Sequence, residues 1–249
     1  MCSLSWRRFN DGLSLAFTRD ESVLRPAAEL PRVFIDEGIK YIMPRDPAGN
    51  GSWIAVNDTG LVIALLNDYQ GVLKPPGVHL NSRGLLVRQL ATCRTLEDVN
   101  NVIADWSLPF SQPFQLAVFF KDEELLWHYD GKANSISARP LSFHLFSSGH
   151  PDASAIIAAR QAWVQRLNLD TESKLLALHR AHQPQRPLTG NTSKEDRAYS
   201  FCMHREEARS QSLTLIRVTE GKVMMRYWNG QPCETDHFEE VELQVAATL

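Results

Sequence analysis

Asn10-Asp11-Gly12 lies between two short runs of strand character, Cys2 to Arg7 and Leu13 to Phe17. Such a triplet between alternating flanks marks a β-hairpin, because the turn needs residues that accept positive φ while the flanks need a period of two. The turn also decides what faces the second residue. A three-residue loop with Gly12 in the left-handed position sets Cys2 opposite Asp20. Two-residue loops at Asn10-Asp11 or Asp11-Gly12 set it opposite Arg19 or Glu21. Every register therefore brings a thiol to the Arg19-Asp20-Glu21 cluster, with roughly 5 Å between Cβ atoms of the directly opposed pair.

That juxtaposition suits nucleophilic catalysis. The thiolate is the attacking species, and a free α-amine beside it, with a pKa of about 7.7–8.0, takes the thiol proton near neutral pH. Loss of Met1 gives Cys2 such an amine. Arg19 then favours the thiolate or holds a substrate carbonyl, and Asp20 orients the α-ammonium group. Neighbouring residues of a regular strand face opposite ways, so the two reach one site only through a bulge or at a strand end. The plain alternative is a core cysteine beside a solvated strand end.

Further along, Trp53 to Val56 and Leu61 to Leu66 are strand-like runs joined across Asn57-Asp58-Thr59-Gly60. The second is wholly apolar, as expected of a strand buried on both faces. Helices are expected at Ser82 to Thr92 and from Thr95-Leu96-Glu97-Asp98, where a capping-box pattern precedes apolar residues at helical spacing. Strands resume at Phe114 to Phe120 and Glu124 to Tyr129, with a third run at Ala133 to Ala138. After Pro151, Ala153, Ile156, Ile157, Trp163, Val164 and Leu167 share one helical face; a second helix follows from Thr171 to His182. Gln183 to Asp196 is the most loop-like stretch. The last strands are expected at Ala198 to His204, Ser212 to Val218, Lys222 to Trp228 and His237 to Val245. Two blocks of antiparallel strands, each followed by a helix pair, suit an α+β fold of two stacked sheets covered by helices, organised as one domain over residues 1–249.

Lys and Arg number 26 against 29 Asp and Glu, a net charge of −3, and no segment gathers basic residues into a stripe. Nucleic acid is not an expected partner. No apolar run approaches the roughly 18–20 residues that span a bilayer, and Arg7, Arg8 and Asp11 interrupt any signal-peptide core. A cytoplasmic location is expected. The four cysteines, Cys2, Cys93, Cys202 and Cys233, follow neither a disulfide framework nor a zinc-type spacing, so free thiols are expected. His179 and His182 lie three apart on the helix, but no third metal ligand is evident nearby. Cys202 and His204 share one face of their expected strand, a weak dyad signal beside the simpler reading of a core thiol and an exposed imidazole. Trp127-His128-Tyr129 and Tyr227-Trp228 read as half-buried strand aromatics that can also line an apolar pocket. No nucleotide motif appears, and no cofactor or metal is implied.

Met1-Cys2, Phe17-Thr18-Arg19-Asp20-Glu21 with Arg25-Pro26, Gly51-Ser52-Trp53-Ile54, Leu61 to Asn67, and Asn81-Ser82-Arg83-Gly84 resemble, in that order, the landmarks of the NRDE family, which includes transport and Golgi organisation proteins. Ala208-Arg209-Ser210-Gln211 resembles a further Arg-containing segment before a strand. That family is similar to N-terminal-nucleophile hydrolases of the choloylglycine-hydrolase and penicillin-acylase type. The resemblance implies a four-layer αββα sandwich and cleavage of a C–N amide bond. By position it implies Cys2 as nucleophile and its α-amine as base. Arg19 and Asp20 would be its partners, Asn67 an oxyanion donor and Arg209 a second cationic wall. Two departures stand out: Thr18 replaces the family's leading Asn, and Ser147-Ser148-Gly149 offers no Asn where a later one is expected. Two functions follow as expectations. One is a cofactor-free amidohydrolase acting on a small or non-peptide amide. The other is a non-catalytic protein that binds an apolar, lipid-like or haem-like ligand or acts in trafficking.

Overall fold

A computed structural model describes residues 2–132, 136–141, 144–184 and 194–245. Along the chain lie β1 (Cys2–Phe9), β2 (Gly12–Ser22), β3 (Glu29–Asp36), β4 (Ile39–Arg45), β5 (Ile54–Asn57), β6 (Val62–Asn67), α1 (Arg83–Leu90) and α2 (Leu96–Asp105). They are followed by β7 (Phe114–Phe120), β8 (Glu123–Tyr129), β9 (Ser137–Pro140), β10 (Leu145–Ser147), α3 (Ala153–Val164), α4 (Glu172–Arg180), β11 (Ala208–Thr219), β12 (Lys222–Asn229) and β13 (Glu239–Gln244). The strands form two antiparallel sheets, one ordered β10-β1-β2-β11-β12-β13 and the other β3-β4-β5-β6-β7-β8-β9. The chain divides into two compact units. One comprises Met1–Pro26, His144–Arg217 and Arg226–Glu239; the other comprises Ala27–Phe143, Val218–Met225 and Glu240–Leu249.

In the first unit the N-terminal hairpin forms with Phe9 paired to Gly12, so the loop is Asn10-Asp11 and the three-residue alternative is not adopted. Gly12 takes a φ of 142°, a value closed to most side chains. The register then runs without a slip to Cys2 opposite Arg19. On its other side β1 pairs with β10, which sets Cys2 opposite Ser147. Helix α4 packs on this sheet through Leu175, which joins Ala16, Leu213, Leu215 and Trp228. Val164 of α3 and Leu178 of α4 close on Phe146 and Phe201.

The expected strand at Ala198 to His204 does not form. A 3-10 helix occupies Lys194–Tyr199, and beyond it only an isolated bridge links His204 to Arg209. The cause is Arg160 of α3, whose guanidinium takes the carbonyls of Ala198, Tyr199 and Ser200 that a sheet ladder would need.

The second unit is built on β6. Leu61 to Leu66 are all buried, as a strand covered on both faces must be. Helix α1 contributes Leu86, Val87 and Leu90, and α2 contributes Val99 and Ile103, to a core shared with Tyr41, Ile63, Leu65, Leu116 and Trp127. The Thr95 capping box forms as its spacing requires: Thr95 Oγ1 accepts from the Asp98 N–H, and the Asp98 carboxylate accepts from the Thr95 N–H. Asn57, in the predicted turn, is a buried hub. Its amide donates to the carbonyls of Ala91 and Cys93, and its Oδ1 accepts from Thr59 and Leu61, tying the β5–β6 hairpin to the end of α1.

Strands β3 and β4 carry Pro31 and Pro44, which mask them in the sequence. They are tolerated because β3 is an edge strand and its pairing with β4 shifts register between Glu29 and Arg32. The Glu37-Gly38 turn between them has φ of 53° and 76°, the two positive values of a tight hairpin loop. Of the run expected at Ala133 to Ala138, residues 133–135 lie outside the described residues, as do residues 185–193 of the Gln183 to Asp196 stretch. Among the described residues no helix is long and apolar enough to cross a membrane.

Candidate active site

Residues directly opposed across an antiparallel pair leave the sheet on the same side. Cys2 on β1 therefore shares its side with Arg19 on β2 and with Ser147 on β10. All three are buried. Burial pushes the Cys2 thiol up, and the nearby Asp20 carboxylate adds to the rise. The Asp20 backbone N–H and the Arg19 guanidinium pull the other way.

Arg19 and Asp20 part to different partners, as strand alternation demands. The Arg19 guanidinium donates to Gln211 Oε1 at 3.1 Å and to Glu21 Oε2 at 3.4 Å, and Gln211 is itself held by the Ser22 carbonyl. Asp20 accepts a 2.5 Å hydrogen bond from Ser210 Oγ, which in turn accepts from the Met203 N–H. Burial raises the Asp20 carboxyl, against the charge of Arg160 and the Ser210 hydrogen bond.

Beneath this pair lies a group that the sequence did not single out. Arg160 has no exposed surface, and besides the three carbonyls it donates to Ser3 Oγ at 2.8 Å. Its charge acts on both Asp20 and Cys2. Ser147 was visible only as a departure from the expected Asn. Its position opposite Cys2 leaves a buried hydroxyl with no hydrogen-bond partner among the described residues, a free donor beside the sulfur.

Thr18, the other departure, bonds His179 Nδ1 at 2.7 Å, and burial drives that imidazole down to about 3, so it is neutral. His179 thus commits its Nδ1 to Thr18. Arg209 is exposed on β11, one residue before Ser210. Asn67 belongs to the second unit, at the end of β6 opposite Phe114, and its amide donates to the Tyr69 hydroxyl at 2.9 Å. Tyr227 and Trp228 are fully rather than half buried, and Tyr227 lies near Arg19.

Solved structures share the fold at low sequence identity. A cysteine-to-alanine mutant of conjugated bile acid hydrolase from Clostridium perfringens aligns with a TM-score of 0.57 at 10% identity, covering 98% of this chain and 92% of that one. An arginine-to-leucine variant of the same hydrolase aligns at 0.56 and 12%, covering 97% and 92%. The Caenorhabditis elegans ortholog of N-acylethanolamine-hydrolyzing acid amidase aligns at 0.52 and 13%, covering 87% and 92%. Two antiparallel sheets with a helix pair on each, matched to these structures over nearly the whole chain, give this chain the same αββα fold. No curated protein sequence matches significantly. Residues 1–231 match the family described as Transport and Golgi organisation 2, and the chain belongs to that family.

Proposed function

We propose that the protein is a cytoplasmic N-terminal-nucleophile amidohydrolase in which Cys2 attacks a small or non-peptide amide. The observation that carries this reading is the register setting Cys2 directly against Arg19 and Ser147. Burial holds the sulfur as a thiol, so the reaction needs a base beside it, and the α-amine exposed on Cys2 by loss of Met1 is that base. The amine takes the thiol proton, and the sulfur attacks the carbonyl carbon. The resulting ammonium returns the proton to the leaving nitrogen as the C–N bond breaks. Water, deprotonated by the same amine, then releases the acid from the thioester.

Asp20 orients the ammonium group, Arg19 holds the substrate carbonyl, and Arg209 adds a second cationic wall. The Ser147 hydroxyl supplies an oxyanion donor, a kind of group worth roughly 3–4 kcal/mol where one is removed from an acyl-transfer site. A conjugated bile acid hydrolase and an acid amidase are among the fold neighbours, which supports an amide with an apolar acyl part.

The second reading, an apolar-ligand carrier that keeps the sandwich without turnover, rests on the raised Cys2 thiol and the absence of Asn at residues 147–149. Peptide mass spectrometry after brief, substoichiometric iodoacetamide at pH 7 separates the two. The hydrolase requires Met1 to be absent and Cys2 to label well ahead of Cys93, Cys202 and Cys233. Retained Met1, or a Cys2 no faster than the rest, sinks the hydrolase and leaves the carrier.

A further inference from the structure

Away from Cys2, three segments of the first unit bring four metal-ligating side chains to one point. His182 follows the C-terminus of α4, Cys202 and His204 lie in the segment after the 3-10 helix, and Cys233 lies in the turn after β12. Their donor atoms all fall within 4.8 Å of one another. His204 Nε2 is 3.2 Å from His182 Nε2, 3.5 Å from Cys202 Sγ and 3.1 Å from Cys233 Sγ. One imidazole nitrogen has a single lone pair or a single proton, and it cannot satisfy three neighbours at hydrogen-bond range. A cation at their common centre satisfies all of them. Tetrahedral zinc with Zn–S of about 2.3 Å and Zn–N of about 2.0–2.1 Å gives ligand-to-ligand edges of roughly 3.3–3.6 Å for N–N and S–N pairs; the N–N separation and the Cys202 S–N separation lie near those edges, and the Cys233 S–N pair must open slightly to admit the ion.

The frame around these donors is built by the backbone. The Cys202 N–H donates to the Ala181 carbonyl and the Phe201 N–H to that of Gln183, which fastens the His182 segment to the Cys202 segment. The bridge to Arg209 fixes His204, whose ring also hydrogen-bonds Gln231. Hydrogen bonds from Glu234 and Thr235 to the Gln231 carbonyl shape the turn that presents Cys233. The two imidazole rings meet at 81°, edge to face, so each directs its Nε2 inward without stacking.

We propose that His182, Cys202, His204 and Cys233 form a structural site of two thiolates and two imidazoles for a single zinc-type divalent cation. Four protein donors leave no open position, which is the pattern of a structural rather than a catalytic zinc site. Binding converts two thiols to thiolates, takes two neutral imidazoles as they are, and releases two protons. The site pins the segment carrying Met203, whose N–H donates to Ser210 and whose carbonyl accepts from it, and Ser210 holds Asp20. The inference is independent of turnover at Cys2.

The test is cobalt(II) titration of the reduced full chain under anaerobic conditions, with total metal measured by elemental analysis. The expected result is one cobalt per chain, with the intense visible bands of a tetrahedral ion and a thiolate charge-transfer band, both displaced by one equivalent of zinc. Cys233→Ser and His182→Ala alter partly exposed ligands and should fold, as circular dichroism will show. Each should weaken cobalt binding by more than the 10–100-fold typical of losing an outer partner, while Cys2→Ala leaves the spectrum unchanged. Absence of binding, an octahedral spectrum without the thiolate band, bands that persist in both variants, or a Cys202–Cys233 disulfide in protein kept under reductant each overturns the proposal.

Discussion

Arg160→Met tests whether the buried guanidinium organises the floor of the site. Methionine keeps much of the stem volume but removes every donor. Four hydrogen bonds go with it: Ser3 Oγ at 2.8 Å, Tyr199 O at 3.1 Å, Ala198 O at 3.2 Å and Ser200 O at 2.5 Å. Hydrogen bonds to a charged group contribute about 1.5–3 kcal/mol each, a gross loss of roughly 6–12 kcal/mol. Water entry and protonation of Asp20 recover part of it. Deleting one member of a buried charged set costs about 3–5 kcal/mol in practice, and about 4 kcal/mol is the expected value here. With an m-value near 3 kcal/mol/M, the urea midpoint falls by roughly 1.3 M. The assay is urea unfolding followed by both far-ultraviolet circular dichroism and tryptophan fluorescence, since the conversion requires coincident curves. Arg160→Lys should recover less than half of the loss, because one ammonium group cannot span three carbonyls and a hydroxyl. A midpoint shift under about 0.3 M for Arg160→Met would refute the assignment of the 198–200 segment to Arg160.

Two further outcomes follow from the packing. His179 is neutral in the fold with a pKa of about 3, against about 6.5 unfolded. The unfolded chain therefore binds the extra proton first, and stability from this residue is complete above pH 6.5 and lost as pH falls toward 3. The loss is about 2 kcal/mol between pH 7 and pH 5; the difference between wild type and His179→Leu, measured at both pH values, isolates it from the opposing effect of Asp20, and a difference that does not change with pH refutes it. Gly51→Ala sets a Cβ 2.1 Å from the Gly84 carbonyl carbon and 2.6 Å from its Cα. Backbone at that distance cannot yield cheaply, so a loss near 3 kcal/mol is expected. Gly221→Ala meets nothing within 4 Å and carries only its positive φ, for which about 1 kcal/mol is expected. Equal melting temperatures for the two variants would contradict the close approach at Gly51.

Local chemistry determined a large part of this protein. Asn10-Asp11-Gly12 limited Cys2 to three partners, all in one charged cluster, because a turn fixes register and register propagates by twos. The Thr95 capping box and the apolar Leu61 to Leu66 run likewise announced their elements, since caps and burial act over a few residues. What the sequence could not show is what arrives from far away. Ser3 and Arg160 meet across 157 positions, and Thr18 meets His179 across 161; no spacing rule reports either. The same Arg160 turned the strand-like Ala198 to His204 into a 3-10 helix and a loop by claiming its carbonyls, a tertiary override of local preference. Pro31 and Pro44 hid β3 and β4, whose tolerance of proline depends on an edge position and a bulge that only the finished sheet provides. Cys2 against Ser147, and four metal-ligating side chains from three separate segments, are likewise products of chain return. Hydrogen bonding and coordination depend on distance in space, and only the tertiary structure converts sequence separation into distance.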